Sequence, residues 1–160
     1  MFSFGRAALP SIAAAFFTAA TMSAQAAQYD FQVVARTGGS IDGYTIVNFN
    51  EPALLNDSGE VVFSATHSGG QGIFTPTQAL VKTGDMIDGK QLTSVSSPAL
   101  NASGNLVFLG GFAGGSAIFD QAHALIKTGD SIGGQPIFSF YRGLSLNGNR
   151  AIAFEASTGT

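Results

Sequence analysis

Three stretches of this chain match one another after a shift of about 45 residues, and that repetition limits the fold more than any single motif does. The first shared element is Val34-Ala35-Arg36-Thr37-Gly38, then Leu80-Val81-Lys82-Thr83-Gly84, then Leu125-Ile126-Lys127-Thr128-Gly129. A glycine stands six residues after each threonine, at Gly43, Gly89 and Gly134. The second element opens at Asn56, Asn101 and Asn147, each followed seven residues later by Phe63, Phe108 and Phe154. The third is Ile73-Phe74 and Ile118-Phe119. Repeats of this length bury their apolar faces by stacking on their neighbours. The units run approximately over 31–74, 79–119 and 124–160, the last incomplete.

Each unit reads as four short strands. In the middle unit these are Ala79 to Lys82, Gln91 to Ser96, Asn105 to Leu109 and Ser116 to Phe119. Short apolar runs bounded by Gly, Asn, Asp and Ser carry the strand signature. Val61-Val62-Phe63 and Leu106-Val107-Phe108 are apolar at every position, the pattern of a strand covered on both faces. The expected fold is therefore all-β, a propeller-like, partial array of tandem four-stranded repeats. The alternative is a closed three-fold β-trefoil-like body, in which Tyr29 to Phe31 pair with the last unit and supply its missing strand.

The Asn-x-x-Gly turns have a mechanism. An Asn side chain accepts a hydrogen bond from the backbone two residues on and starts a turn. Gly59 and Gly104 at the fourth position take a positive φ without a Cβ clash. The third copy has Arg150 there, which predicts a different turn, built on Gly148-Asn149, and a less regular unit.

Residues 1–26 read as a signal peptide. Arg6 gives a positive start, Ala7 to Ala20 an apolar run, and Ala24-Gln25-Ala26 a small-x-small cleavage pattern. The run is shorter than the ~20 residues that span a bilayer, and Pro10 interrupts it. The expectation is an exported protein with its β-repeat domain over 27–160 and no membrane span after cleavage. Without Arg6 the chain keeps six basic residues, scattered singly, against ten acidic ones. That distribution disfavours nucleic acid, which needs clustered cations to displace counterions. No cysteine is present, which excludes disulfides and thiolate chemistry.

At Asn56-Asp57-Ser58-Gly59-Glu60-Val61-Val62-Phe63 the chain resembles the choice-of-anchor tandem-repeat family named for its NxxGxxAF motif. Asn101 to Phe108 matches equally well, and Asn147 to Phe154 keeps Asn147, Ala153 and Phe154 but not the glycine. The resemblance covers roughly residues 31 to 160. It implies an exported bacterial protein, often anchored by a C-terminal PEP-CTERM-type signal, with a propeller-like fold and more than three repeats. It assigns no catalytic residue. The chain departs from the family by ending before the Ile-Phe strand of its third unit and by lacking a hydrophobic tail, which a truncation would explain.

The remaining candidates for chemistry are sparse. His67 and His123 are the only histidines, and their counterparts in the neighbouring copies are Phe112 and Gln78, so they form no repeated site. Asp85 and Asp130 are equivalent and are the weak candidates for a calcium-binding turn, with turn stabilisation as the favoured reading. Phe63, Phe108 and Phe154 are expected in the core rather than in a binding stripe. No catalytic residue, cofactor or metal site is expected. The functional expectation is a binding or scaffolding module at the cell envelope or outside the cell, for a glycan, a matrix protein or a second copy. The alternative is a fragment of a larger propeller enzyme, a hydrolase or lyase whose site lies elsewhere.

Overall fold

The computed structural model describes residues 31–159, so the expected signal peptide and the Tyr29–Asp30 part of the closing strand lie outside the described residues. The described chain is all-β. Strands β1 (Ser40–Ile41), β2 (Tyr44–Phe49), β3 (Leu54–Leu55), β4 (Val61–His67), β5 (Gly70–Phe74) and β6 (Ala79–Lys82) form a first sheet. Its order is β1-β2-β4-β5-β6, with β3 beside β4. Strands β7 (Met86–Ile87), β8 (Lys90–Leu100), β9 (Leu106–Phe112), β10 (Gly115–Phe119) and β11 (Ala124–Lys127) repeat that order as a second antiparallel meander. A third group holds β12 (Ser131–Ile132), β13 (Gln135–Phe140), β14 (Ser145–Leu146), β15 (Ile152–Ala153) and β16 (Ala156–Thr158). Here β12-β13-β16 form one sheet and β14-β15 a separate pair.

Hydrogen bonding sets a phase that the repeat spacing leaves open. The Leu-Val-Lys-Thr strand β6 pairs with β5 and closes the first sheet, and β11 closes the second in the same way. Each sheet therefore begins one strand later than the sequence units. Val34 to Arg36, which the repeat aligns with β6, form no strand. The strand expected over Gln91 to Ser96 continues to Leu100 through two register shifts. Ser97 has a φ of 50°, and Pro98 follows it at the second irregularity, where a missing N–H is tolerated.

Three hairpins share a type I′ geometry, which matches the twist of the strands it joins. Its central residues are Asp42-Gly43, Asp88-Gly89 and Gly133-Gly134, all with positive φ. Asp is one of the few side chains that tolerate this region, and this accounts for Asp42 and Asp88 without a ligand.

The sheets stack face on face. Val62, Ile73 and Val81 of the first pack against Leu92, Val95, Phe108, Ala117 and Phe119 of the second. Ala99, Val107 and Ile118, on the opposite face of the second sheet, pack against Phe140, Leu144, Leu146, Ile152 and Phe154 of the third group. The middle sheet is thus apolar on both faces because both faces are covered. Phe63 stacks on Phe74 at 6.0 Å, and Phe108 on Phe119 at 5.6 Å, at equivalent places. Burying each such ring contributes roughly 1.5–3 kcal/mol. Phe154 is only half-buried and lies just past β15.

Candidate functional site

The repeated asparagines hold their own turns and also tie the units together. Asn56 Oδ1 accepts from the N–H groups of Ser58 (3.1 Å) and Glu60 (2.9 Å). Asn101 Oδ1 accepts from Ser103 (3.0 Å) and Asn105 (2.9 Å), and Asn147 Oδ1 from Asn149 (3.0 Å) and Ala151 (2.8 Å). The amide ends reach outward. Asn56 Nδ2 donates to the Asn101 carbonyl at 3.1 Å, and Asn101 Nδ2 donates to the Asn147 carbonyl at 3.0 Å. A ladder thus runs from one unit to the next, and its middle rung, Asn101, is buried.

The third turn is a correction to the sequence reading. Arg150 takes a φ of 65°, and its N–H donates to the Asn147 carbonyl at 3.1 Å, as Gly59 does to Asn56 and Gly104 to Asn101. The turn is the same one, and Gly148-Asn149 replace nothing. Left-handed backbone costs a non-glycine residue about 1–2 kcal/mol. Arg150 Nη2 offsets part of that by donating to Asn105 Oδ1 of the preceding unit at 2.9 Å.

Asp85 and Asp130 brace their turns. Asp85 Oδ2 accepts from the Lys82 N–H at 2.9 Å, and its Oδ1 takes the Lys82 Nζ at 2.7 Å. Asp130 repeats this with Lys127, at 3.0 and 2.7 Å. The hydrogen bond from Lys127 holds the Asp130 carboxyl below its ordinary value, and the bond to Asp85 raises Lys82 above 10.5. Both oxygens of each carboxylate are thereby engaged.

The histidines do unlike things. His67 is buried, edge to face with Tyr44 (4.7 Å) and Phe74 (5.7 Å), and its half-buried counterpart Phe112 meets Phe119 edge to face (6.2 Å). Its Nδ1 accepts from the Gly69 N–H at 2.9 Å, and its Nε2 has no partner among the described residues. His123 is exposed, 3.5 Å from Asp120. Burial pushes the Asp120 carboxyl up, but the N–H groups of Ala122 and His123, both at 2.7 Å, outweigh it and hold the carboxyl below 3.8.

One polar junction had no signal in the repeat. Glu51 Oε2 accepts from the Ser97 N–H (2.8 Å) and the Ser64 hydroxyl (3.1 Å), while Arg142 approaches Oε1 at 3.7 Å. Glu51, Ser97 and Arg142 hold corresponding places in the three units but share no residue type, so no sequence match marks them.

Between the second sheet and the third group lies an open cleft of about 560 Å³. Leu106, Val107, Leu125, Leu146 and Ile152 give it an apolar floor, and Asn105, Asp120, Gln121, His123 and Arg150 a polar rim. Among the described residues no three His, Cys, Asp or Glu side chains converge. A surface of this kind can hold an extended chain by apolar contact and fix its orientation at the rim. No family model, curated protein or solved structure matches this chain.

Proposed function

We propose that this chain is an exported binding or scaffolding module of the cell envelope or extracellular space. One observation carries the reading. The repeated polar side chains, Asn56, Asn101, Asn147, Asp85 and Asp130, are engaged in bracing turns and joining units, while the inter-sheet cleft keeps an apolar floor open behind a polar rim. Such a division of labour suits a rigid body that presents a surface. The resemblance to the NxxGxxAF repeats and the signal-like start support export. The candidate partners are a glycan, a matrix protein or a second copy.

The test is expression of the full chain in a bacterial host, followed by fractionation, N-terminal sequencing of the product and a binding screen. The expected result is a product processed near Ala26 outside the cytoplasm that binds without turnover. Cytoplasmic retention of the unprocessed chain, or catalysis in a broad substrate screen without binding, would overturn the proposal.

A further inference from the structure

The first two sheets show what covers an NxxG unit, and in the third group no strand among the described residues covers the same surface. In the first sheet β4 pairs along one edge with β5, and β6 adds to that. In the second, β9 pairs with β10 and then β11. The counterpart in the third group is β16. It pairs with β13 on one side, and on the other no strand among the described residues joins it. The N–H of Gly159 turns inward to the Pro136 carbonyl at 3.0 Å. Antiparallel alternation then points the Thr158 N–H toward the free edge.

The side-chain surface matches. At the first junction, Val62, Val81 and half-buried Leu80 lie in one cluster with Phe119 and half-buried Ala124, which β10 and β11 bring over them. At the second junction the corresponding residues are Val107, Ile126 and Leu125. Val107 and half-buried Ile126 lie in one cluster with Ile152 and Phe154, and among the described residues that cluster holds no counterpart of Phe119 or Ala124. Leu125 is 44% exposed there and lines the cleft.

From this we infer that the β16 edge, together with the cleft lined by Leu125 and Ile152, forms an acceptor for an added antiparallel strand, whose occupant is an extended segment with small residues followed by an Ile-Phe pair. The two covered units identify that chemistry, since Gly70-Gln71-Gly72-Ile73-Phe74 and Gly115-Ser116-Ala117-Ile118-Phe119 fill the equivalent place. Strand addition joins both requirements, because main-chain bonds supply affinity and a side-chain pocket supplies selectivity. An unpaired edge is also the place where strand exchange with another chain begins. The inference holds whether or not the chain is exported.

The probe is a synthetic peptide with the sequence of residues 115–127, added to the full chain and followed by calorimetry and amide exchange. Saturable one-to-one binding with slowed exchange at Ala156 to Thr158 is expected. Replacing the peptide's Ile-Phe pair by Ser-Ser should weaken binding by about tenfold or more, at least 1.4 kcal/mol. Thr158→Pro, which removes an edge donor, and Leu125→Lys, which alters only the exposed cleft wall, should each weaken binding while the unfolding midpoint of Leu125→Lys stays near that of the parent. Concentration-dependent dimers that the peptide disperses would support the site, with a second copy as its natural occupant. Equal binding of the Ser-Ser peptide, no binding, or edge amides already protected in a dilute monomer would overturn it. Failure of the peptide while a glycan or matrix protein still binds would remove this inference and leave the broader binding reading intact.

Discussion

Phe108 and Phe154 stand seven residues after Asn101 and Asn147 in successive copies of one motif, yet one is fully buried and the other only half-buried. Ile87 and Ile132 differ in the same way, at 5% and 43% exposed. The two motifs fold alike locally, since the Asn turn closes in both with the same hydrogen bonds. The difference comes from what lies above them. The second unit carries β10 and β11, and the third has no counterpart among the described residues. Local turn chemistry thus sets the shape of a unit, while stacking sets its stability.

The sharpest way to break that comparison is to remove both rings. Phe108→Ala should cost about 3–5 kcal/mol, the range for a fully buried aromatic ring. Phe154→Ala should cost about half of that or less, since its ring already meets solvent. Urea unfolding with matched m-values measures both. Equal losses would show that the third unit is as well packed as the second.

The ladder gives a smaller contrast. Asn101→Ala removes two turn bonds, a bond from the Asn105 amide and the link to Asn147 at a buried position, for about 2–3 kcal/mol. Asn147→Ala removes two turn bonds at an exposed position, for about 1 kcal/mol. If the two losses were the same, the amide link between units would add nothing. Smaller still is Arg150→Gly, which relieves left-handed strain and gives up one exposed bond to Asn105. A net gain of about 0.5–1 kcal/mol is expected. A loss would mean that the Arg150 contact, rather than the strain, dominates.

These contrasts also mark what a single sequence discloses. The repeat, the turns and the burial of Phe63 and Phe108 were legible because each depends on residues close in the chain. The sheet phase was not, because spacing alone cannot say whether Leu80 to Lys82 bond to the strand before or after them. The outward ends of the Asn56 and Asn101 amides were hidden for a similar reason: each partner is about 45 residues away. Arg150 misled because a local preference against positive φ was overridden by contact with Asn105. Glu51 left no trace, since Ser97 and Arg142 meet it through position rather than through identity.

The least effect should come with pH, and it should fall on the second and third units. Asp120 and Asp130 both have carboxyl groups held below the ordinary value of 3.8 in the folded chain. The stability they contribute is therefore present above that value and is lost as pH falls through the lower folded values. Lys82 runs the other way, with its contribution present below 10.5 and lost as pH rises through its raised value. Both aspartates are accessible, so salt should weaken their effects. As the pH drops below 3.8, the protection of the amides of Ala122, His123 and Lys127, relative to their unstructured exchange rates at the same pH, should fall, because those N–H groups donate to the two carboxylates. In Asp120→Asn the acid-induced change at Ala122 and His123 should disappear while that at Lys127 persists. Loss of both together would mean that the β10–β11 turn and the Lys127 turn open as one cooperative unit, which would tie the exposed end of the second sheet to the third group more tightly than their packing suggests.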